Sequence, residues 1–483
     1  MDLAPSASAL AGSRPVPGWR PRSVLVTASV SLAVAVMALM QTISIPLLAA
    51  LPEAFDTDIT SVSWVATSTL LVGAAVNPIV GRMGDMYGKR TLLLCCLGAA
   101  VLGSVLGALA GSLLVVIAGR AVQGIGSGVI PLAYGIVRDE VPPRHLSRAV
   151  SVVTAAGAGL GAGLGPVIMG GVLSAHDWRA VFWLTGALCL LALVLVLAST
   201  RGASTRFPAR FDLPGAVVLA AALTVLLLGI TNGAGWGWTS PRIVALVAGA
   251  GAMAAWWVRW ERSRLEPLVD LAVSTSRPVL IAHLGGVMVG FATFAQFISS
   301  FTLVSLPVGH GLGRSLAVAG LVQLPGAAVL FGAVLLATRI SATRGSYALL
   351  RVGAALIVAG FALAFVRHGS VVEIALGVVV VNAGLGSAFC ALPILIMEHV
   401  DHSQTAAVNA LNALARVIGS VVSSAIVTAV MATGAVLVAG QERPAEWTFL
   451  AAYAIGATPA VAVGLLAWRA ERAGALPLAC NSS

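Results

Sequence analysis

Three stretches of this chain, Ser23 to Pro52, Thr91 to Gly119 and Leu213 to Pro241, contain no Asp, Glu, Lys or Arg. Each is long enough to cross a bilayer as a helix, which takes roughly 20 apolar residues. Hydrocarbon offers no water to satisfy a bare N–H or C=O, so an open segment there must be helical. The remainder of the chain agrees. Of its 483 residues 59% are apolar and 10% charged, against about 25% charged in soluble domains. A water-dissolved fold is excluded, and the first block is too long for a cleaved signal peptide, so we expect an uncleaved first span.

Apolar blocks place spans near 24–50, 61–81, 91–110, 112–137, 149–173, 180–199, 213–231, 242–260, 279–305, 315–338, 347–366, 371–397, 405–433 and 447–469. That is about fourteen, all helical. The loops between the third and fourth and between the eleventh and twelfth are very short. A polar, charged loop from Glu261 to Pro278 divides the chain unevenly. The organisation expected is a tail over 1–22, a six-helix bundle over 23–200, a linker with two inserted helices over 201–278, a second six-helix bundle over 279–470 and a tail over 471–483. Such a layout is that of a rocking transporter built from repeats.

Short-loop arginines orient the chain. With the N-terminus inside, the inner segments hold Arg82, Lys89, Arg90, Arg138, Arg144, Arg148, Arg201, Arg206, Arg210 and the arginines between 259 and 277, while Glu53, Asp56 and Asp58 crowd the first outer loop. The bias predicts cytoplasmic N- and C-termini in a bacterial inner membrane. The net charge of +10 comes from arginines scattered between apolar blocks, with no continuous basic stripe, so nucleic acid is not expected as a partner. The five cysteines have no spacing that fits a disulfide framework or a metal site. No cofactor and no metal are expected.

Against this apolar background polar residues are informative. Gly81-Arg82-Met83-Gly84-Asp85-Met86-Tyr87-Gly88-Lys89-Arg90 falls between the second and third spans. Its glycines allow a tight turn between close helices, and Asp85 and Lys89 are four apart, at pairing distance on a helix. Asp139 and Glu140 end the fourth span and offer further partners. The segment reads either as an ordinary basic loop or as an inner latch. Arg120, well inside the fourth span with Gln123 a turn on, is costly in lipid and is either tied to backbone carbonyls or engaged in coupling or binding. Gly157, Gly161 and Gly165 recur every four residues before Pro166, a face for close helix approach followed by a kink. Thr405, Asn409, Asn412, Arg416 and Ser420 form one polar face of the thirteenth span. Phe291, Phe294, Phe297 and Phe301, beside Gln296 and Ser300, line either a cavity or the lipid side of the ninth. His283, in the same span, is a candidate proton carrier or a packed neutral ring.

The decapeptide resembles the signature loop of the major facilitator superfamily, G-x-L-a-D-r-x-G-r-r, matched at Gly81, Asp85, Gly88, Lys89 and Arg90, with Met86 in place of a common Arg. Arg120-Ala121-Val122-Gln123-Gly124-Ile125-Gly126 is similar to the family's R-x-x-Q-G-x-G element, and the layout is similar to its fourteen-helix drug:proton antiporter branch. The resemblance implies alternating access and export of small hydrophobic or amphipathic compounds, with protons as coupling ion and a monomer in the lipid bilayer. Two departures stand out. Gly165-Pro166-Val167-Ile168-Met169-Gly170-Gly171 carries one residue more than the antiporter's G-P-x-x-G-G, and Met40, beside Gln41, occupies the place of the Asp in L-D-x-T. Neither Met40 nor Gln41 changes charge. Competing readings are an uncoupled facilitator or importer of a small metabolite and a non-transporting receptor or lipid-handling protein. An enzyme is not expected, since no metal or Ser–His set lies within spans.

Overall fold

The computed structural model describes residues 21–42, 44–57, 59–163, 165, 168–169, 171–172, 177–200, 211–264, 267–307, 310–438 and 441–474. Pro166 and the loop arginines 201, 206 and 210 lie outside the described residues. The first half comprises α1 (Pro21–Thr42), α2 (Ser44–Phe55), α3 (Ile59–Tyr87), α4 (Lys89–Ala108), α5 (Leu113–Ile125), α6 (Val129–Glu140), α7 (Pro143–Ala155) and α8 (Arg179–Ser199). A single 3-10 turn joins α5 to α6, and α7 runs on as a π-helix over Ala156–Gly163. Then come α9 (Leu213–Trp236), α10 (Pro241–Arg262) and the short α11 (Leu271–Ser274). The second half holds α12 (Arg277–Ser305), α13 (Leu316–Leu321), α14 (Gln323–Val366), α15 (Val371–His399), α16 (Thr405–Thr433) and α17 (Glu446–Gly474). Within the described residues 13 helices are long and apolar enough to span a membrane. The expected span near 149–173 is represented by α7 and its π extension.

The short loops are real breaks, at 109–112 and 367–370. The gap expected near 339–346 is a kink within α14: two spans, Val318–Ser341 and Thr343–Val366, are separated there, with Gly345 non-helical at φ 81° and ψ 170°. The decapeptide also differs from a loop: Gly81 and Gly84 lie inside α3, and the turn is one residue, Gly88, at φ 109°. A positive φ costs glycine nothing, so one residue reverses the chain. Between α16 and α17 an antiparallel strand pair, β1 (Ala435–Val438) and β2 (Gln441–Pro444), stands where no strand was expected.

Helix contacts rest on small residues. A Cβ on Gly161 would meet Ala38 Cβ at 2.5 Å, and one on Gly157 would meet Val34 Cγ1 at 2.7 Å, so both glycines face α1. Gly159 faces the other half, 2.6 Å from Phe331 of α14. Without side chains the backbones approach closely enough to replace the missing hydrophobic drive in lipid with dispersion. The inserted pair α9–α10 packs Leu219, Leu223 and Trp257 in one cluster with Ala74 of α3 and Leu414 of α16. It therefore lies along the seam between the halves.

Candidate functional site

Two polar regions interrupt the apolar interior. The first lies at the Arg-rich face, where α3 ends. Asp85 and Lys89 are both fully buried. Lys89 Nζ donates to Asp139 Oδ1 at 3.0 Å and Oδ2 at 2.9 Å, and sits 3.7 Å from Asp85 Oδ1. Asp85 in turn accepts the backbone N–H groups of Ala407 at 3.0 Å and Ala406 at 3.4 Å. These belong to the first turn of α16, whose N–H groups have no intrahelical partner and whose dipole favours an anion. Gly81 lets the helices touch: a Cβ there would stand 2.7 Å from Ala410 Cβ and 2.9 Å from the Ala406 carbonyl. Arg138 adds bonds to the carbonyls of Met397 at 2.9 Å and Asp401 at 3.4 Å, and to the Thr405 hydroxyl.

Of the residues grouped here from sequence, Gly81, Asp85, Gly88, Lys89 and Asp139 come together. Two do not. Arg90 donates to Thr200 Oγ1 and the Leu197 carbonyl at the end of α8, and Glu140 pairs with half-exposed Arg22 at 3.0 Å. Met86, where the family pattern has Arg, is buried. Arg138 and the first turn of α16 were missed. Arg138 counted only as a loop charge, and its partners lie more than 250 residues away.

The second region is midway through the helices. Arg120 is fully buried and donates to the carbonyls of Met40 at 3.0 Å and Val65 at 3.3 Å, and to Gln123 Oε1 at 2.9 Å. Gln123 passes its own amide to Ser104 Oγ at 2.8 Å. Thr69 holds the Arg120 carbonyl at 3.0 Å. The position of the absent acid thus meets the arginine through a backbone oxygen. Beside this cluster a cavity of about 90 Å³ is lined by Gln41, Asn77, Gln123 and Ser127 from the first half and by Arg416 from the second. That volume is well under the roughly 300–1,000 Å³ of a drug-sized site.

The polar face of α16 divides. Asn409 bonds back to the Thr405 carbonyl at 2.9 Å, and Asn412 ties α16 to α12 through the Ala282 carbonyl at 2.6 Å. Only Arg416 of that set reaches the cavity. The aromatic stripe of α12 also divides: Phe291 is buried, Phe294 is 40% exposed, and Phe297 stacks on Phe301 at 5.7 Å. None of the four lines this cavity. Gln296 instead bonds Ser300 and Gln323 at 3.0 Å each. His283 has both ring nitrogens buried with no hydrogen-bond partner among the described residues, and it does not line the cavity.

Residues 30–424 match the family model described as Major Facilitator Superfamily. The chain belongs to that superfamily. The signature loop around Asp85 had pointed to the same superfamily. The tetracenomycin C resistance and export protein of Streptomyces glaucescens is 30% identical over 317 residues, 64% of this chain and 57% of its own length. The chain therefore spans less than two thirds of that relative. A multidrug resistance protein B homolog of Mycobacterium tuberculosis is 26% identical over 449 residues, 89% of this chain and 80% of its own. In structure, the human organic anion transporter MFSD10 superposes with a TM-score of 0.67 at 17% identity, covering 93% of this chain and all of that chain. At that identity the likeness concerns the fold alone. It agrees with two six-helix bundles and an inserted pair.

Proposed function

We propose that this transporter exports small hydrophobic or amphipathic compounds across the bacterial cytoplasmic membrane by alternating access, as a monomer with both termini inside. The observation that carries the reading is the buried Asp85–Lys89–Asp139 network docked on the first turn of α16. It joins the two halves only when their ends on the Arg-rich face meet. That face is cytoplasmic by the arginine bias, so the conformation described is closed to the cytoplasm. Opening it would expose Asp85 and the α16 amides to water, which satisfies them separately, and the two states differ by a modest free energy. The names of the relatives, tetracenomycin C export and multidrug resistance, support export.

Proton exchange is the driving force proposed, through the neighbourhood of Arg120, Gln123 and Gln41. Arginine keeps its proton, so Arg120 acts by positioning and field. One observation favours a second reading, an uncoupled facilitator: Met40 presents a carbonyl to Arg120 where a titrating acid would serve a proton. Proteoliposomes with an internal pH dye separate the two. Coupled export predicts proton movement on substrate addition, abolished by Arg120→Ala and little changed by His283→Ala. Substrate movement with no proton flux and no response to an imposed pH gradient overturns coupling and leaves the facilitator.

A further inference from the structure

The cavity between the halves has an unusual imbalance of hydrogen-bonding groups. Arg416 lines it from α16, with its guanidinium over the Phe389 ring at 5.3 Å and no hydrogen bond or ion pair from that guanidinium among the described residues. Asn77 faces the same space from α3. Its Oδ1 accepts from Ser127 at 3.1 Å, while its Nδ2 has no described acceptor. Gln41 contributes a second amide, and Gln123, the third, has its oxygen occupied by Arg120 and its Nε2 by Ser104. Among the described residues no Asp or Glu lines the cavity. Donors therefore exceed acceptors, and a half-buried guanidinium stands in the cavity without an anion.

A cation drawn part-way out of water is stabilised where something neutralises it. Phe389 covers one face of the guanidinium and leaves its N–H edge to bond. Five N–H donors in a planar fork match the two oxygens of a carboxylate or the single oxygen of a phenolate. We propose that Arg416, with Asn77 and Gln41, is a binding site for the anionic oxygen of an amphipathic substrate, so that this transporter selects lipophilic carboxylates and phenolates and rejects lipophilic cations. The assignment rests on the export reading and names its substrate class. The cavity holds an acid head group in the closed state described, and the apolar body would lie on neighbours such as Met37 and Leu70 when the halves part. Rejection of cations follows from the same field, because a cation would meet Arg416 with no carboxylate in the lining to offset it.

Two xanthene dyes of similar shape and opposite charge test the site, fluorescein as the anion and rhodamine 123 as the cation. Export of each is measured in cells carrying the full-length protein, with binding to the purified protein read by fluorescence anisotropy. Wild type is expected to export and bind fluorescein and to leave rhodamine 123. Arg416→Gln should weaken fluorescein binding by about 10- to 100-fold, the value of a charge-assisted hydrogen bond. If Arg416→Gln does not insert, Arg416→Lys keeps the charge without the fork and should lower fluorescein affinity several-fold with rhodamine 123 still excluded. Fluorescein binding that is unchanged in the Arg416 variant overturns the site. Export of rhodamine 123 but not fluorescein also overturns it and leaves export standing. A wild type that moves neither dye overturns both readings.

Discussion

The turn after α3 and the bend within α14 are built alike and bonded differently. Each pivots on a glycine at positive φ, Gly88 at 109° and Gly345 at 81°. In each, the next residue reaches the acid near the end of the following helix hairpin. Lys89 bonds Asp139 at the end of α6, and Ser346 donates to Glu398 near the end of α15. The first is a charge pair between a fully buried lysine and a largely buried carboxylate; the second is a hydroxyl on an exposed carboxylate. Three residues before the glycine the first turn has Asp85, which crosses to α16, and the second has Ala342. The same backbone device therefore serves two ends. One copy carries ions that bind the opposite half, and the other is a bend with a local hydrogen bond. At the Arg-rich face the Asp85 hydrogen bonds cross between the halves, whereas the Ser346–Glu398 bond stays within the second half.

Substitutions break that comparison in graded steps. Lys89→Met should have the largest effect, because it strands Asp85 and Asp139 without their cation, a loss of about 3–5 kcal/mol for a broken buried pair. Yield of inserted protein and thermal unfolding in detergent should both fall; an unchanged midpoint would show that the turn holds no such stress. Asp85→Asn keeps the shape and loses the charge, weakening the bonds to the α16 amides by about 1.5–3 kcal/mol. Here insertion should persist while export drops and the Arg-rich face opens. Spin labels at Tyr87→Cys and His402→Cys, with native cysteines replaced, should read a longer distance, and an unaltered distance would remove Asp85 from the closure. Gly81→Val places methyls against Ala410 and should open the same face by a smaller population shift, checked with the same labels. Ser346→Ala should matter least, about 0.5–1.5 kcal/mol for one hydrogen bond. If its melting midpoint falls as far as that of Lys89→Met, the two turns are equivalent and the asymmetry is wrong.

Much of this was legible in the sequence, and particular residues show where legibility ended. The uncharged blocks announce the spans because transfer to lipid depends on local composition. The pairing of Asp85 with Lys89 follows from a spacing of four, and the motif around them names the family. Arg90 and Glu140 have the same charges in the same segment, yet they bond Thr200 and Arg22. Nothing in their spacing separates them from their neighbours. That the break between the spans near 339–346 is a kink at Gly345 was also hidden, since polar residues between two apolar blocks do not say how long the break is.

What the sequence by itself determined, then, is everything that a short stretch encodes: membrane residence, the count and period of the helices, the glycine turn and the superfamily. Tertiary structure alone decided which member of a polar helical face does what. Asn409, Asn412 and Arg416 share one face of α16 by period, but Asn409 turns back on its own helix, Asn412 binds α12, and Arg416 meets the cavity. The physical reason is range. Transfer free energies and backbone torsions act within a few residues, whereas a side chain's partner is set by whichever helix packs against it, and the Ala407 amide that receives Asp85 is 322 residues away along the chain.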